Sequence, residues 1–138
     1  MARVMGVDFG GRRVGIAISD PLGMFAQPLS TYDRQGKSLE EAADHLAALC
    51  REQEADTVVM GLPLHLSGQE GEGSRKVRDF AVLLKDRGLA VVLQDERLTT
   101  VMAQRALREG NVRGRQRVEV VDRVAAVIIL QTYLDKGR

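Results

Sequence analysis

Aromatic residues and cysteine are scarce in this sequence, and each shortage argues against a class of function. Its 138 residues include no tryptophan, two tyrosines and three phenylalanines, which disfavours recognition of nucleobases by stacking on aromatic platforms. A single cysteine, Cys50, excludes an internal disulfide bond and suits a reducing compartment. No apolar run approaches the ~20 residues of a membrane-spanning helix, and no charged-then-apolar leader precedes the first predicted strand. We therefore expect a cytoplasmic protein with no membrane partner.

The net charge is close to zero, so the chain as a whole does not attract nucleic acid. Its formal value is +1, with 44% hydrophobic and 28% charged residues, an ordinary balance for a globular protein. The length suits one domain with a real core, and no linker or internal repeat divides it. We expect a single domain over residues 1–138, in which any signal for nucleic-acid binding is local.

Residues 5–19 predict two strands joined by a tight turn. The first apolar run ends in Asp8, and Gly10 with Gly11 permits the positive φ angles of a two-residue hairpin loop. After the turn, β-branched residues alternate with small ones, which predicts a strand with one bulky and one closely packed face. Asp8 is then a carboxylate at the end of a buried strand, which is costly unless it is paired or binds a metal. An ordinary turn residue is the simpler interpretation.

The rest of the chain alternates between helical and strand patterns. Residues 24–33 predict a third strand, Ser38 opens a capping box for the first helix, and Cys50 on that helix's apolar stripe is more simply a core residue than a redox thiol. Further elements are predicted in the order strand, helix, strand, helix, helix, at residues 57–60, 73–86, 89–94, 99–110 and 118–134. Right-handed crossovers then give an α/β fold with a five-stranded mixed sheet, three antiparallel strands plus two parallel ones, and helices on both faces.

Two further acidic positions interrupt apolar patterns. Asp122 falls on the same face of the last helix as Ala125 and Ile129, so a carboxylate stands within an apolar stripe. A buried salt bridge is the alternative to a functional role there. Asp95 and Glu96 follow an apolar strand, and only one of them can face a given site because adjacent strand residues point to opposite faces. Acids before a helix N-terminus also occur for charge–dipole reasons alone.

These acids are candidate ligands of a divalent cation. Like charges gathered in a dry pocket repel, and a cation relieves the repulsion. Hard oxygen ligands suit Mg²⁺ or Mn²⁺, and two such ions ~4 Å apart activate a water and stabilise the leaving oxygen of a phosphodiester. Spacing alone makes the acids candidates and does not show that they converge.

Several segments, taken in order, resemble one known family. They read VDFG and RVGIA in the first hairpin, GLP at residues 61–63, DERLTT at residues 95–100, and VD followed by AAVIILQ in the last helix. In combination these motifs resemble the YqgF family, also called RuvX, over essentially the whole chain. The resemblance implies a ribonuclease H-like fold and a nuclease that processes the 5′ end of pre-16S ribosomal RNA. The family is also described as a Holliday junction resolvase, by similarity to RuvC.

The resemblance also implies roles for individual residues. The family's acidic triad maps onto Asp8, Glu96 and Asp122, which would be the catalytic residues and the ligands of Mg²⁺ or Mn²⁺, with two ions expected. Two positions depart from the family pattern: His65 stands where an Asn-like residue is expected, and Gln69 where Ser or Thr is commoner. Both leave the triad intact and put loop contacts to substrate in doubt. His65 is either a proton shuttle or, more simply, an exposed loop histidine.

Arginines concentrate in the last third of the chain. Residues 97–123 hold seven arginines against three acids, a local net charge of +4, and a glycine-containing basic loop at residues 110–117 precedes the helix of Asp122. Arginine forks suit phosphate oxygens and position a backbone without reading bases, although solvated basic loops are common. The expected nucleic-acid-binding residues are Arg12, Arg13, Arg97, Arg113, Arg115 and Arg117.

Three functions compete on this sequence. A metal-dependent phosphodiester nuclease acting on structured RNA or branched DNA is the leading interpretation. An ATP-binding domain of the actin and sugar-kinase type shares the Asp-x-Gly hairpin, but it needs two lobes, and this chain has room for one. A non-catalytic RNA-binding assembly factor would not need the intact acids. The sequence leaves RNA and junction DNA undecided as substrates, and monomer and homodimer as assemblies.

Overall fold

The computed structural model describes residues 2–98 and 115–137, and the side chains of residues 2–97 and 122–137. Its strands are β1 Arg3–Phe9, β2 Arg13–Ser19, β3 Ala26–Asp33, β4 Ala55–Leu62 and β5 Ala90–Asp95. Its helices are α1 Leu39–Glu52, α2 Glu72–Asp86 and α3 Arg115–Lys136, and a short 3₁₀ turn covers Glu96–Leu98. The helix predicted at residues 99–110 lies outside the described residues.

The strands form one mixed sheet in the order β3-β2-β1-β4-β5. β1 pairs with β2 and β2 with β3 in antiparallel fashion, whereas β1 with β4 and β4 with β5 are parallel. The predicted α/β architecture is therefore confirmed. β1 lies at the centre of the sheet, so a side chain at its end is enclosed by strands on both sides.

One face of the sheet packs against α1 and α2 through large apolar side chains. Met5, Val7 and Phe9 of β1 lie on this face, and the ring of Phe9 stacks on Phe80 of α2 with 4.7 Å between centroids. Cys50 of α1 is buried, with its Sγ 3.6 Å from Met5 Sδ. The core role predicted for this cysteine is therefore confirmed, and burial raises the pKa of its thiol to about 11.

The other face packs against α3, with small residues on β1 and β2 facing Ile129 and Leu130 of the helix. A Cβ at Gly6 would stand 2.6 Å from Leu130 Cβ, so glycine at this position lets the helix approach β1 closely. Ala17 of β2 and the helix residues Ala125 and Ala126 are buried at the same interface. The small residues of β2 face α3 and its bulky ones face α1 and α2, as the alternation predicted.

The turn between β1 and β2 differs from the predicted two-residue loop. Residues 10–12 separate the strands, and the Gly10 N–H donates to the Arg13 carbonyl at 3.0 Å. Gly11 has a φ of +85°, whereas Gly10 is not in the left-handed region. A three-residue loop with one left-handed glycine is the commonest alternative to the two-residue turn.

The last helix begins three residues earlier than predicted. α3 starts at Arg115, so Arg115 and Arg117 lie in its first turns and not in the basic loop assigned to residues 110–117. The glycines and charges of residues 110–117 indicated a loop, and arginines at a helix N-terminus oppose the helix dipole. Arg113 lies outside the described residues.

Candidate active site

Asp8 stands near the end of the central strand, with glycine beside it on both neighbouring strands. It is 0% exposed and points to the α3 face because it alternates with Val7. Its antiparallel partner on β2 is Gly15. On the other side Val7 pairs with Met60, which places Gly61 of β4 next to Asp8. Both glycines leave the space above their backbones open to other groups.

Asp122 of α3 occupies the space above Gly15. A Cβ at Gly15 would overlap the Asp122 carbonyl oxygen and stand 3.0 Å from the Asp122 Cβ, so the glycine lets α3 touch β2 beside Asp8. Asp122 is 1% exposed. The Arg13 Nε lies 3.3 Å from Asp122 Oδ2, and the Arg13 side chain is 25% exposed. Arg13 is therefore the partner that the salt-bridge interpretation of Asp122 requires. It lies on β2, the strand that also contains Gly15, the neighbour of Asp8.

Glu96 occupies the space above Gly61. A Cβ at Gly61 would stand 2.5 Å from Glu96 Oε1 and 2.9 Å from Glu96 Cγ. Glu96 is 1% exposed, although it lies in the 3₁₀ turn that follows β5. The buried amide of Gln94, two residues earlier, donates its Nε2 hydrogen to the Ile129 carbonyl at 2.9 Å and so ties β5 to α3.

Asp95 points away from this region and pairs with Arg97. The Arg97 Nη2 lies 2.7 Å from Asp95 Oδ2, and the Asp95 side chain is 24% exposed. Hydrogen bonding from the Arg97 guanidinium lowers the pKa of the Asp95 carboxyl. Of the two neighbouring acids, Glu96 is therefore the one directed into the buried region.

The structure brings Asp8, Glu96 and Asp122 to one region of the α3 face. As carboxylates they match the donor type that Mg²⁺ and Mn²⁺ prefer, and buried anions need compensation of this kind. Within residues 2–98 and 115–137, however, no three His, Cys, Asp or Glu side chains are placed to hold one ion together. Asp122 Oδ2 is directed to Arg13 instead. The set fits a divalent cation by chemistry, and enclosing one would require side-chain movement.

Arg12, at the tip of the β1–β2 turn, is half exposed and already bonded within the chain. Its Nε lies 3.2 Å from Asp33 Oδ1, and its Nη2 donates to Gln35 Oε1 at 2.9 Å. Arg13 faces Asp122. Of the two arginines, Arg13 lies beside a buried acid of the candidate site, whereas Arg12 contacts Asp33 and Gln35.

Arg34 supports this turn and was missed by the sequence analysis. Its Nε donates to the Gly11 carbonyl at 2.8 Å, and its backbone N–H donates to the Arg12 carbonyl at 2.7 Å. The pairing of Arg13 with Asp33 across β2 and β3 places Arg34 at the turn. No local sequence pattern indicates this strand register, so the contact of Arg34 with the turn could not be predicted from the sequence.

His65 is exposed in the loop between β4 and α2. Its backbone N–H donates to the Gln69 carbonyl at 2.9 Å. A Cβ at Gly71 would stand 2.8 Å from the His65 Nε2, so the ring lies against the residue that precedes α2. This placement agrees with the simpler interpretation of an exposed loop histidine.

In the described ranges, no helix combines the length and apolar character needed to cross a bilayer.

The chain matches the family model RuvX, described as Holliday junction resolvase, over residues 2–136. A protein of Lactococcus lactis subsp. cremoris strain MG1363, named "Putative pre-16S rRNA nuclease", is 44% identical over 97% of this chain and 94% of its own length. A protein of the same name from Clostridium novyi strain NT is 44% identical over 96% of this chain and 98% of its own length.

Two solved structures share the fold at low sequence identity. RuvC of T. thermophilus in complex with a Holliday junction substrate superposes with a TM-score of 0.60 at 11% identity, covering 99% of this chain and 97% of that one. The fowlpox virus Holliday junction resolvase gives a TM-score of 0.55 at 13% identity, covering 97% and 99%. These neighbours support the ribonuclease H-like architecture that the motifs implied. From the family match and the two full-length relatives, the chain belongs to the RuvX family, also called YqgF.

Proposed function

We propose that this chain is a metal-dependent nuclease that processes the 5′ end of pre-16S ribosomal RNA. The observation that carries the proposal is the burial of three carboxylates around one strand end, where two glycines make room for them. Stability alone gives no reason to bury Asp8, Glu96 and Asp122 together, because the mutual repulsion and lost hydration of such charges are costly. The full-length relatives named for this reaction support the choice of substrate.

Asp8, Glu96 and Asp122 would hold Mg²⁺ or Mn²⁺, with two ions expected. The bound cations would supply an activated water and charge stabilisation at the scissile phosphate. The chain's own part is to hold the three carboxylates on rigid elements and to keep the region dry. Arg13 places a positive charge beside Asp122, and in the substrate complex it is positioned to meet a phosphate oxygen as well.

The proposed nucleic-acid path runs over the β1–β2 turn and the start of α3. Arg12 and Arg13 lie at the β1–β2 turn, and Arg115 and Arg117 lie in the first turns of α3, the helix that carries Asp122. Together with Arg113 they would contact phosphates.

Replacing Arg113, Arg115 and Arg117 by alanine should weaken substrate binding and reduce the slope of log affinity against log salt by about one per lost contact. The rate at saturating substrate should change much less.

Cleavage of Holliday junctions is the second candidate function. The description of the family model favours it. Symmetric cleavage of a four-way junction would need two active sites and hence a homodimer, whereas trimming an RNA end would need one chain. The oligomeric state during turnover therefore separates the two candidates.

A cleavage panel tests both candidates together. The purified chain is incubated with 16S precursor RNA carrying a 5′ extension, duplex RNA, single-stranded RNA and four-way junction DNA, each with Mg²⁺, Mn²⁺ or EDTA. We expect cleavage near the 5′ end of the precursor, abolished by EDTA and reduced by orders of magnitude in Asp8→Asn and Glu96→Gln. Asp44→Asn, a change at an exposed carboxylate that pairs with Arg87, is the matched control. Binding without cleavage of any substrate would contradict the nuclease and favour a non-catalytic assembly factor.

A further inference from the structure

The side chains on either side of Glu96 bind each other and leave Glu96 between them. The Arg97 Nε lies 3.1 Å from Asp95 Oδ1 and 3.0 Å from Asp95 Oδ2, and its Nη2 lies 2.7 Å from Asp95 Oδ2. Asp95 Oδ1 also accepts the backbone N–H of Arg97 at 2.8 Å. A carboxylate that accepts the N–H two residues later stabilises a turn. The pair thus fixes the bend at which β5 gives way to the 3₁₀ turn.

This bend decides where the Glu96 side chain goes. Asp95 and Arg97 are partly exposed, with 24% and 33% of their side chains accessible, whereas Glu96 is 1% exposed and lies over Gly61. Because the flanking side chains meet on the outside of the turn, the middle residue is directed inward. An ion pair on the solvent side therefore determines the position of a buried carboxylate.

Arg97 also reaches the loop between β4 and α2, residues 63–71. Its Nη1 donates to the Leu66 carbonyl at 3.2 Å. A Cβ at Gly68, where φ is +92°, would stand 3.3 Å from that same nitrogen, so the guanidinium lies close against the loop backbone. The loop is closed on itself by the Gly68 N–H, which donates to the His65 carbonyl at 2.8 Å. All three nitrogens of the Arg97 guanidinium therefore donate within the chain.

We propose that Arg97 is a positioning residue, and not a phosphate ligand. Its ion pair with Asp95 sets the turn that directs Glu96 toward Asp8, and its bond to Leu66 keeps loop 63–71 in a fixed relation to that turn. This modifies the nucleic-acid-binding role expected for Arg97 from the sequence. The role of Glu96 in cleavage rests on the proposed function, whereas the connection between the turn and the loop does not.

Conservative variants separate the two roles of Arg97. Arg97→Lys keeps the positive charge but cannot bond Asp95 twice and Leu66 at once. Asp95→Asn keeps the acceptor for the Arg97 backbone N–H and loses the ion pair, whereas Asp95→Ala loses both. Leu66→Ala keeps the carbonyl and removes an 86% exposed side chain, so it is the control within the loop. Arg87→Lys changes the Arg87–Asp44 pair, which lies in another part of the molecule.

The measurements are amide hydrogen exchange of residues 63–71, kcat, Mn²⁺ binding, and the salt dependence of binding to the 16S precursor RNA. In Arg97→Lys we expect faster exchange at Gly68, a 10- to 100-fold fall in kcat and weaker Mn²⁺ binding, with an unchanged salt slope. Asp95→Asn should retain more activity than Asp95→Ala, and both should retain more than Glu96→Gln. The two control variants should match wild type in every measurement.

Two results would overturn the positioning role. A salt slope reduced by about one, with normal kcat and normal exchange in the loop, would make Arg97 a phosphate contact. Faster loop exchange with normal kcat and normal Mn²⁺ binding would show that Glu96 does not depend on the pair. If wild type binds Mn²⁺ and cleaves no substrate, the proposed function fails, while hydrogen exchange and Mn²⁺ binding still decide whether Arg97 positions Glu96 and the loop.

Discussion

The two faces of the sheet are built on opposite principles. Against α1 and α2 lie large apolar side chains, such as Phe9 stacked on Phe80, and the free cysteine there is an inert core residue. Against α3 the central strands present glycine and alanine beside Val59, and among these residues Asp8, Glu96 and Asp122 are almost completely buried. Adjacent residues of the same strands supply both faces, since side chains alternate along a strand.

Within one sheet, the α1/α2 face contributes mainly to stability, whereas the α3 face holds the acids of the candidate site. Apolar burial stabilises the α1/α2 face by about 25 cal/mol per Å² of area, whereas burying carboxylates costs free energy unless each is compensated. The large side chains of the first face therefore offset the cost of the second. The close contacts that the glycines allow bring Asp122 of α3 and Glu96 of the 3₁₀ turn after β5 up to Asp8. Variants of each face should then have different signatures.

The largest effect on stability is expected on the α1/α2 face. Phe80→Ala removes a fully buried ring stacked on Phe9 and should lower the free energy of unfolding by about 3–5 kcal/mol. Cleavage per folded molecule should stay near the wild-type rate because the ring packs on the face of the sheet opposite α3 and the three acids. Urea melts with activity measured below the transition check both expectations. Val82→Ala, at an exposed position of the same helix, should change stability by less than about 0.5 kcal/mol. A rate lost as completely as in Asp8→Asn would show that the faces are not separable.

The next effect concerns the glycine that brings α3 to the sheet. A Cβ at Gly15 meets the Asp122 backbone, which cannot move without shifting the helix, so Gly15→Ala should cost about 1–3 kcal/mol. Unlike Phe80→Ala, it should also lower kcat in the fraction that remains folded, because Asp122 is displaced from Asp8. Gly73→Ala in α2 is the control: its added Cβ would stand 3.2 Å from the Pro63 Cγ of loop 63–71, a side-chain contact and not a backbone overlap, so it should change stability by less than about 1 kcal/mol. A Gly15→Ala protein that loses stability but keeps kcat would contradict the placement of Asp122 in the site.

In the absence of metal, substitution of Arg13 should lower the stability of the protein more than substitution of Asp122. Arg13→Gln removes the Arg13 cation from Asp122, which is buried in the same region as Asp8 and Glu96, and should cost about 1–3 kcal/mol in EDTA. Asp122→Asn loses the attraction to Arg13 but relieves repulsion among the acids, and Arg13 is exposed enough to regain water. That change should stay within about 1 kcal/mol while cleavage falls by orders of magnitude.

Thermal melts in EDTA and in Mn²⁺ check the expectations for Arg13 and Asp122. Added Mn²⁺ should raise the midpoint of Arg13→Gln at least as much as that of wild type, and that of Asp122→Asn less, since a ligand that binds only the folded state stabilises it by mass action. If Asp122 serves only as the salt-bridge partner of Arg13, Asp122→Asn should lose about 3–5 kcal/mol of stability. Added Mn²⁺ should then raise the melting midpoints of wild type and Asp122→Asn by the same amount.

The fold was predictable because its signals are local. The end of an apolar run at Asp8 with glycines after it predicts a hairpin, and the alternation after the turn predicts which side of β2 is bulky. The start of α3 was not predictable, because Arg115 and Arg117 contradict the usual charge preference of a helix N-terminus. The turn at residues 10–12 was one residue longer than the Gly10-Gly11 pair indicated, since flanking contacts such as Arg34 to Gly11 are absent from the local pattern.

The acids of the candidate site were predictable from interrupted apolar patterns and from the family motifs, whereas their surroundings were not. That Gly15 and Gly61 flank Asp8 depends on the register of the strands. The hydrophobic pattern determines which side chains share a face of the sheet, but not which residues are paired. The pairing of Arg97 with Asp95 depends on a turn whose direction becomes visible only in three dimensions. Arg97 was expected to bind phosphate because it belongs to the arginine-rich stretch 97–123, and the geometry gives it a partner inside the chain.

The smallest effect is a pH dependence at the outer surface of α1. His45 stacks on Tyr32 with 4.3 Å between ring centroids, and partial burial, followed by the charge of Lys37, lowers its pKa from the ordinary 6.5. The unfolded chain therefore takes up this proton more readily, so stability falls as the pH drops through 6.5 toward the lower pKa of the folded state. His45→Gln should lose less stability than wild type between about pH 7.5 and about pH 5.5, as urea melts at the two pH values would measure. An equal or larger loss of stability in His45→Gln would show that the pH dependence arises from a group other than His45.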